Sequence, residues 1–419
     1  MHTATLDILR CPFCGGRLQL VDSMYHQRTE AEIHHGILGC HCCIFPVIDG
    51  IPVLHLQTNA TTARAHVEAG HPALALRVMV GLDDEQQARR FEAAAGAERS
   101  TYRDMVEALG PAFEGGYFLY RFSDPTYVVA QAVVGAIASV VLHGARRAID
   151  ICGGSGHLTR VLMKWSSPAP VLADLYFAKI WLARRFTAPG CEPVCCDGNG
   201  AFPFARGSFG YAMCSDAFQY IWTKRQFIGE MARLVDSAAP DAEPGAVVIN
   251  HTHNQVTWSP SHGQPLSPAG YYDLFETLPV RIFGEAGLFA DVVGGGPLRL
   301  SRTDRDAALD ADPALTLVGT RHAGVFEAHA LETPTTARGC YQVNPLYRTE
   351  SRGDRLDLTL HFPSPDYEDE YGACREYLPA QVTLDAQALR RLQAGGPIDA
   401  ETAEWVRRRV IVDLPNRYY

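Results

Sequence analysis

The 419-residue sequence predicts an α/β protein: a doubly wound, mostly parallel sheet with a small cysteine-bearing unit before it and an α+β extension after it. Three observations carry that prediction. Residues 147–162 read RAIDICGGSGHLTRVL, an apolar run ending in an acid, then a glycine turn, then helical spacing. Two further apolar runs end at Asp174 and Asp197, with a helical stretch between them, as repeated βαβ units require. Near the amino terminus, two cysteine knuckles stand apart from this pattern.

The length exceeds one ordinary domain and predicts two or three. A net charge of −10 argues against a surface built for nucleic acid, which is disfavoured as a partner. No basic segment followed by an apolar run opens the sequence, so a cytoplasmic protein without a signal peptide is expected. The most apolar stretch, 127–142, is shorter than the roughly 20 residues a span needs and carries Gln131, Gly135 and Ser139. It reads as a buried helix packed before the first sheet strand, with no membrane role. Twelve cysteines in such a chain point to reduced thiols, some of them on metal.

Residues 1–57 form the first expected unit. Cys11-Pro-Phe-Cys14 starts it and Cys40-His-Cys42-Cys43 closes it, a spacing that can set four thiolates around zinc. In so short a segment the metal would supply stability that an apolar core cannot. The following FPVIDGIPVL, residues 45–54, resembles the tail of the zinc ribbon related to the small activator subunit of eukaryotic RNA and protein methyltransferases. That resemblance implies a structural Zn2+ on Cys11 and Cys14, with Cys40 or Cys42 third and Cys43 fourth. His34, His35 and His41 are expected on the surface or on the ribbon's loop.

Residues 58–145 read as a helical connector. Residues 59–69 are polar and alanine-rich, as in a linker. Residues 84–95 and 100–109 have helical spacing, with Ser100 as N-cap and Gly110-Pro111 as stop.

Residues 146–330 carry the sheet. Ala148, Ile149 and Ile151 suit a buried parallel strand, and the glycines after it let a ligand approach the backbone. The dinucleotide fingerprint G-x-G-x-x-G fails, because Ser155 and His157 stand where glycines are required. An acid followed by G-G-x-G instead resembles motif I of the Rossmann-like class I S-adenosylmethionine-dependent methyltransferases, with Cys152 in place of the usual first glycine. The resemblance continues through the loop and fourth strand at 201–211, where Gly210 replaces an aspartate, and through the motif at 213–221. It implies S-adenosylmethionine held by Gly153, Gly154 and Gly156 at its methionine end, with Asp150 on the amino group. Asp174 would take the ribose and Asp197 the adenine, with Leu175, Gly198 and Ser215 also lining the cofactor site. An acid after the second strand can indeed accept from both ribose hydroxyls.

The fifth strand, 245–250, runs into Asn250-His251-Thr252-His253-Asn254. Ligands of open α/β sheets bind beyond the carboxyl ends of strands, so both imidazoles should face the pocket. They can contact substrate or take a proton, or serve as structural hydrogen-bonding groups. H-x-H is also half a metal site, but no third ligand stands at a telling spacing. Asp216, Tyr220, His251 and His253 are therefore the substrate-side, catalytic candidates. The turn-rich loop 258–272 is expected on the substrate side, and 315–321 reads as a late strand closing the sheet. The run GGYFLYRFSD, residues 115–124, is either a lid over cofactor and substrate or a staple packing on the sheet.

Residues 331–419 carry strand character at 340–347 and 356–362, an acidic run at 366–376 expected as a solvated face, and helices at 384–392 and 400–409. This extension is expected to act as a substrate cap or homodimer contact. Together these readings imply methyl transfer to an O, N or C nucleophile of a small-molecule substrate, such as a secondary metabolite. The alternatives are an RNA or protein methyltransferase that grips its substrate with the ribbon, and a non-catalytic zinc-ribbon scaffold.

Overall fold

The computed structural model describes residues 1–110, 113, 116–236, 243–257, 263–332 and 337–419. Residues 258–262 of the expected substrate loop, Pro111 of the expected helix stop and Gly115 of the glycine–aromatic run lie outside the described residues.

The ribbon is a five-stranded sheet of short elements: β1 (Gln19–Leu20), β2 (Gln27–Arg28), β3 (Ile33–Gly39), β4 (Ile44–Ile48) and β5 (Ile51–Pro52). Its apolar residues alternate between two destinations, as a strand's period of two requires. Ile37 and Ile48 enter one of the protein's main cores, and Leu38, Phe45 and Val47 the other.

The central sheet comprises β6 (Ala148–Ile151), β7 (Val171–Asp174), β8 (Glu192–Cys195), β9 (Tyr211–Ser215), β10 (Ala246–His253), β11 (Val280–Gly284) and β12 (Ala314–Thr320). Their spatial order is β11-β12-β10-β9-β6-β7-β8. β8, β7, β6, β9 and β10 are mutually parallel, and β12 runs antiparallel between β10 and β11. The chain winds from β6 outward to β8, then returns to place β9 on the other side of β6. That reversal makes a switch point, where open sheets leave a crevice beyond their carboxyl ends. Both faces are covered, so the strands read as continuous apolar runs. Ala148, Leu172, Met213 and Val248 pack with the buried helix Pro125–Val141, and Ile149, Val171, Ala212 and Val247 with the side of helix Lys224–Val235.

The ribbon is joined to this sheet through the backbone. Val53 bridges Cys195 in parallel, with Leu54 N–H donating to the Cys195 carbonyl at 2.7 Å, which continues the sheet past β8. Arg10 N–H donates to the Pro203 carbonyl and Ala205 N–H to that of Ile8. Trp181 Nε1 donates to Asp49 Oδ2 at 2.7 Å.

Local details depart from the sequence reading for identifiable reasons. The expected linker at 59–69 is the helix Thr58–Glu68, because Ala60, Ala63 and Val67 recur at helical spacing and are buried. Thr101, not Ser100, caps Tyr102–Leu109, in a capping box with Asp104, and the Ser100 hydroxyl instead donates to the Ala94 carbonyl. The fifth strand runs past Asn250 to His253, with a register shift against β12 between Ile249 and Thr252.

The extension forms a three-stranded sheet, Tyr347–Arg352, Arg355–Leu360 and Gln381–Asp385, and pairs Cys340–Val343 with Ile411–Leu414. The acidic helix Pro365–Tyr371 exposes Asp366, Asp369 and Glu370 but buries Tyr367 and Tyr371 in a third core. Tyr371 stacks on Tyr117 and Tyr367 packs edge-on to Tyr120, which ties the extension to the glycine–aromatic run. Among the described residues no single helix is long and apolar enough to cross a membrane.

Candidate functional site

At the end of β6 the chain turns through Cys152 (φ 59°), Gly154 (φ 53°) and Gly156 (φ 75°). The left-handed conformation of Cys152 is one that a glycine would adopt without strain. Gly153 answers to packing, since a Cβ would stand 2.4 Å from Leu172 Cδ1 and 2.6 Å from the Asp150 carboxyl. At Gly154 a Cβ would meet the Phe118 ring at 3.7 Å and Lys179 at 3.9 Å, ordinary contact distances.

Asp174 ties this turn to the next strand. Its Oδ2 accepts from Gly154 N–H at 2.9 Å and its Oδ1 from Tyr176 N–H at 2.8 Å. A carboxylate has about four acceptor sites, so hydroxyl donors can still be received. Asp150 lies beneath the turn, 1% exposed, with Oδ2 accepting from the Thr159 hydroxyl at 2.6 Å. Burial pushes its carboxyl up to about 7. Asp197 Oδ1 accepts from Asn199 N–H at 2.9 Å, and the Leu175 carbonyl accepts from the Cys195 thiol. A Cβ on Gly198 would stand 3.2 Å from Cys152 Sγ, so this residue too is held by packing.

One set of atoms bears on what the crevice holds. Asp150 Oδ1, Ser215 Oγ and both amide atoms of Asn250 are buried without a hydrogen-bond partner among the described residues. Ser215 and Asn250 are register partners on β9 and β10. Two residues earlier on their strands, Ala148, Met213 and Val248 share one core, so Asp150, Ser215 and Asn250 face the same side of the sheet. Each such orphan costs about 1–3 kcal/mol, and a polar ligand with donors and acceptors would relieve it. This donor and acceptor set would suit the polar groups of S-adenosylmethionine.

The segment Tyr117–Ser123, a 3-10 helix, covers the turn. Phe118 stacks on His157 at 5.6 Å, and Lys179 Nζ lies 5.2 Å from the Phe118 ring centre. The Tyr418 hydroxyl donates to the Phe118 carbonyl and accepts from His157 Nε2 at 2.8 Å. Burial, aided by Arg121, lowers His157 to about 3, so its ring is neutral. Further along, Arg121 is 5% exposed and divides its guanidinium between Asp124 and Asp216, each at 3.2 Å.

Beyond β9 and β10, Asp216 (φ 55°) and His251 (φ 50°) both occupy the left-handed region, directly after the register partners Ser215 and Asn250. Asp216 N–H donates to the Asn250 carbonyl at 3.0 Å. Ligand atoms of Asp216, His251 and His253 lie within 4.8 Å of one another. Three of the four substrate-side candidates are thus brought together. Tyr220 is not: it is 53% exposed.

Glu285, which opens the helix Glu285–Val293, was not legible as a site residue. Its Oε2 lies 2.6 Å from His251 Nδ1, and its Oε1 accepts from His251 N–H and from the Thr316 hydroxyl, each at 2.8 Å. Burial lowers the His251 pKa, but the charge and hydrogen bond of Glu285 prevail and raise it to about 9. Burial and the neighbouring His251 lower that of His253. His251 and Glu285 are 34 residues apart, and only the insertion of β12 between β10 and β11 brings them together.

In the ribbon, Sγ atoms of Cys11, Cys14, Cys40 and Cys42 lie within 4.8 Å of one another. Cys11–Cys42 and Cys14–Cys40 are 3.7 Å apart and Cys40–Cys42 3.6 Å. Tetrahedral zinc with Zn–S near 2.3 Å implies S···S of about 3.8 Å, so the donors suit that ion. Cys42 takes the place expected for Cys43. The Cys43 backbone closes the β3–β4 hairpin, its carbonyl accepting from Cys40 N–H, and its Sγ lies 3.4 Å from Cys42 Sγ at the edge of the cluster, outside the four sulfurs that stand within 4.8 Å of one another.

A doubly wound sheet with unpartnered polar atoms at its switch point, and a four-cysteine ribbon fastened to its edge, define an α/β protein with a built-in ribbon. No family model matches the chain. The UPF0434 protein of Bordetella pertussis is 36% identical over 69 residues, 16% of this chain and 95% of that protein. The UPF0434 protein of Bordetella avium is 38% identical over 73 residues, 17% and 97% respectively. Through this stretch the chain belongs to the UPF0434 family. Solved structures similar to the chain include the geranyl diphosphate C-methyltransferase of Streptomyces coelicolor, at 14% identity, 45% of this chain, 74% of that one and TM-score 0.33. They also include an S-adenosylmethionine-dependent methyltransferase of Mesorhizobium loti, at 13%, 42%, 92% and 0.32. A complex containing the Haloferax volcanii Trm112 methyltransferase activator is similar at 18%, 45%, 88% and 0.33.

Proposed function

We propose that this chain is an S-adenosylmethionine-dependent methyltransferase acting on an O, N or C nucleophile of a small molecule, such as a secondary metabolite. The observation that carries the reading is the row of unpartnered polar atoms on Asp150, Ser215 and Asn250, which face one side of the sheet at the strand ends next to the glycine turn. S-adenosylmethionine, when bound, supplies a methyl group on a sulfonium whose charge is lost on transfer. Asp150 and the Gly153–Gly154 turn receive the methionine end, Asp174 the ribose and Asp197 the adenine. Tyr117–Ser123 excludes water from that side, and Asp216, His251 and His253 orient the acceptor. Positioning does most of the work, with effective molarity worth about 7–11 kcal/mol. A base is needed only where the acceptor carries a proton, and an imidazole at the β10 end is placed to receive it. The ribbon holds a structural Zn2+ on Cys11, Cys14, Cys40 and Cys42 and braces the β8 edge. The net charge of −10 favours a small acceptor over RNA, and a cytoplasmic setting accords with twelve unpaired thiols.

Calorimetric titration of S-adenosylmethionine and S-adenosylhomocysteine into wild type and Asp174→Ala tests this. Micromolar binding, weakened by about 1–3 kcal/mol in the variant, is expected. Absence of heat and of competition with either ligand overturns the reading.

A further inference from the structure

We propose a second metal site, distinct from the ribbon, in which Asp216, His251 and His253 bind a divalent transition cation. In the sequence, His251 and His253 were half a site without a third ligand. The fold supplies it from the neighbouring strand, bringing one ligand atom of each residue within 4.8 Å of the others.

Four independent features mark the group as built. Two imidazoles and one carboxylate on one side form a set that transition metals occupy while leaving positions open. His251 Nδ1 is held by Glu285 at 2.6 Å, and Glu285 is itself held by the Thr316 hydroxyl. A carboxylate behind a ligating histidine fixes the ring so that its other nitrogen faces the metal. Asp216 is similarly held on its outer side by Arg121.

The backbone is also committed. Asp216 and His251 follow register partners, and both lie in the left-handed region, which a non-glycine residue adopts only under strain. Ordinary strand ends would direct these two side chains elsewhere.

The Arg121 guanidinium pairs with the carboxylates of Asp124 and Asp216, and the carboxylate of Glu285 pairs with His251. A divalent cation at this corner would take the His251 ring nitrogen that Glu285 leaves free and stand beside the Asp216 carboxylate. Such a cation would hold an oxygen of the acceptor beside the crevice, so an acceptor bearing a hydroxyl or carboxylate oxygen is the expected class. That corollary rests on the methyltransferase reading; the metal site itself does not.

The test is titration of Co2+ and Mn2+ into the purified full chain without S-adenosylmethionine, with metal content measured after dialysis. Co2+ in the ribbon gives intense thiolate charge-transfer bands, whereas Co2+ on two imidazoles and a carboxylate gives only weak visible bands. Mn2+ prefers the oxygen and nitrogen set and is followed by its electron-spin resonance. Wild type should bind one Mn2+ per chain and a second, thiolate-free Co2+. Glu285→Gln should weaken Mn2+ binding 10–100-fold, His253→Ala should abolish it, and Cys14→Ser should leave it unchanged. Folding of each variant is checked by circular dichroism. A folded wild type that binds no Mn2+ and only thiolate-bound Co2+ overturns the site, whatever the outcome with S-adenosylmethionine.

Discussion

Arg121 Nη2 lies 3.2 Å from Oδ2 of Asp216, joining the segment that covers the glycine turn to the end of β9. The same guanidinium reaches Asp124, the N-cap of helix Pro125–Val141. One side chain thus couples the cover, the main buried helix and the acceptor side of the crevice. Arg121→Ala should cost about 3–5 kcal/mol in urea denaturation, because two carboxylates lose their counter-charge in a buried setting. Arg121→Lys should recover only part, since a single ammonium cannot present the same planar fork to both acids. A loss below about 1 kcal/mol for the alanine variant would show that the pair is not buried in solution.

The two central glycines of the turn should separate in their effects. Gly153→Ala forces a Cβ to within 2.4 Å of Leu172 and should cost about 1–3 kcal/mol of stability by overpacking. Gly154→Ala meets Phe118 only at ordinary contact distance, so its penalty is the left-handed backbone alone, about 1–2 kcal/mol. Gly154→Ala should nevertheless weaken S-adenosylmethionine binding more per unit of stability lost. Paired thermal unfolding and calorimetry decide the order.

Asp150 sets a pH dependence of stability. Its folded value of about 7 lies above the ordinary 3.8, so the native state holds the proton more tightly than the unfolded chain. The favourable contribution is fully present below about pH 4 and is lost as pH rises through 7. The slope it adds is at most about 1.4 kcal/mol per pH unit. Asp150→Asn should flatten the stability profile between pH 4 and 7, and denaturation at three pH values reads this directly. An unchanged slope would mean that the carboxyl is not desolvated.

Zinc content should discriminate adjacent cysteines. Cys42→Ser should lose the ribbon metal and lower the melting temperature of the whole chain, because Ile37, Leu38, Phe45 and Val47 feed the two main cores. Cys43→Ser should keep one zinc per chain. The reverse result would return Cys43 to the ligand set.

Much of this was legible before any coordinates. The second sheet strand is read as an apolar run ending at Asp174 and found as Val171–Asp174, because a buried strand between polar turns has only one place to lie. The two knuckles place three of the four clustered sulfurs. What escaped the sequence depended on distance along the chain or on finer geometry. Cys42 and Cys43 are neighbours, and only closure of the hairpin decides which sulfur turns to the cluster. Glu285 begins a helix like many others, and nothing local joins it to His251.

Legible in the residues themselves were the parallel strands, the glycine turn, the acids near the strand ends and the paired cysteines, since each depends on local periodicity or on spacing within a few residues, whereas the sheet strand Val280–Gly284 was not read. Tertiary structure alone decided that Arg121 would bridge Asp124 and Asp216, that Glu285 would hold His251, and that Asp216 would join the two histidines. Those contacts arise from strand order and from two left-handed residues at neighbouring strand ends. Strand order is a property of how buried faces pack across the whole sheet, and no local pattern of residues encodes it.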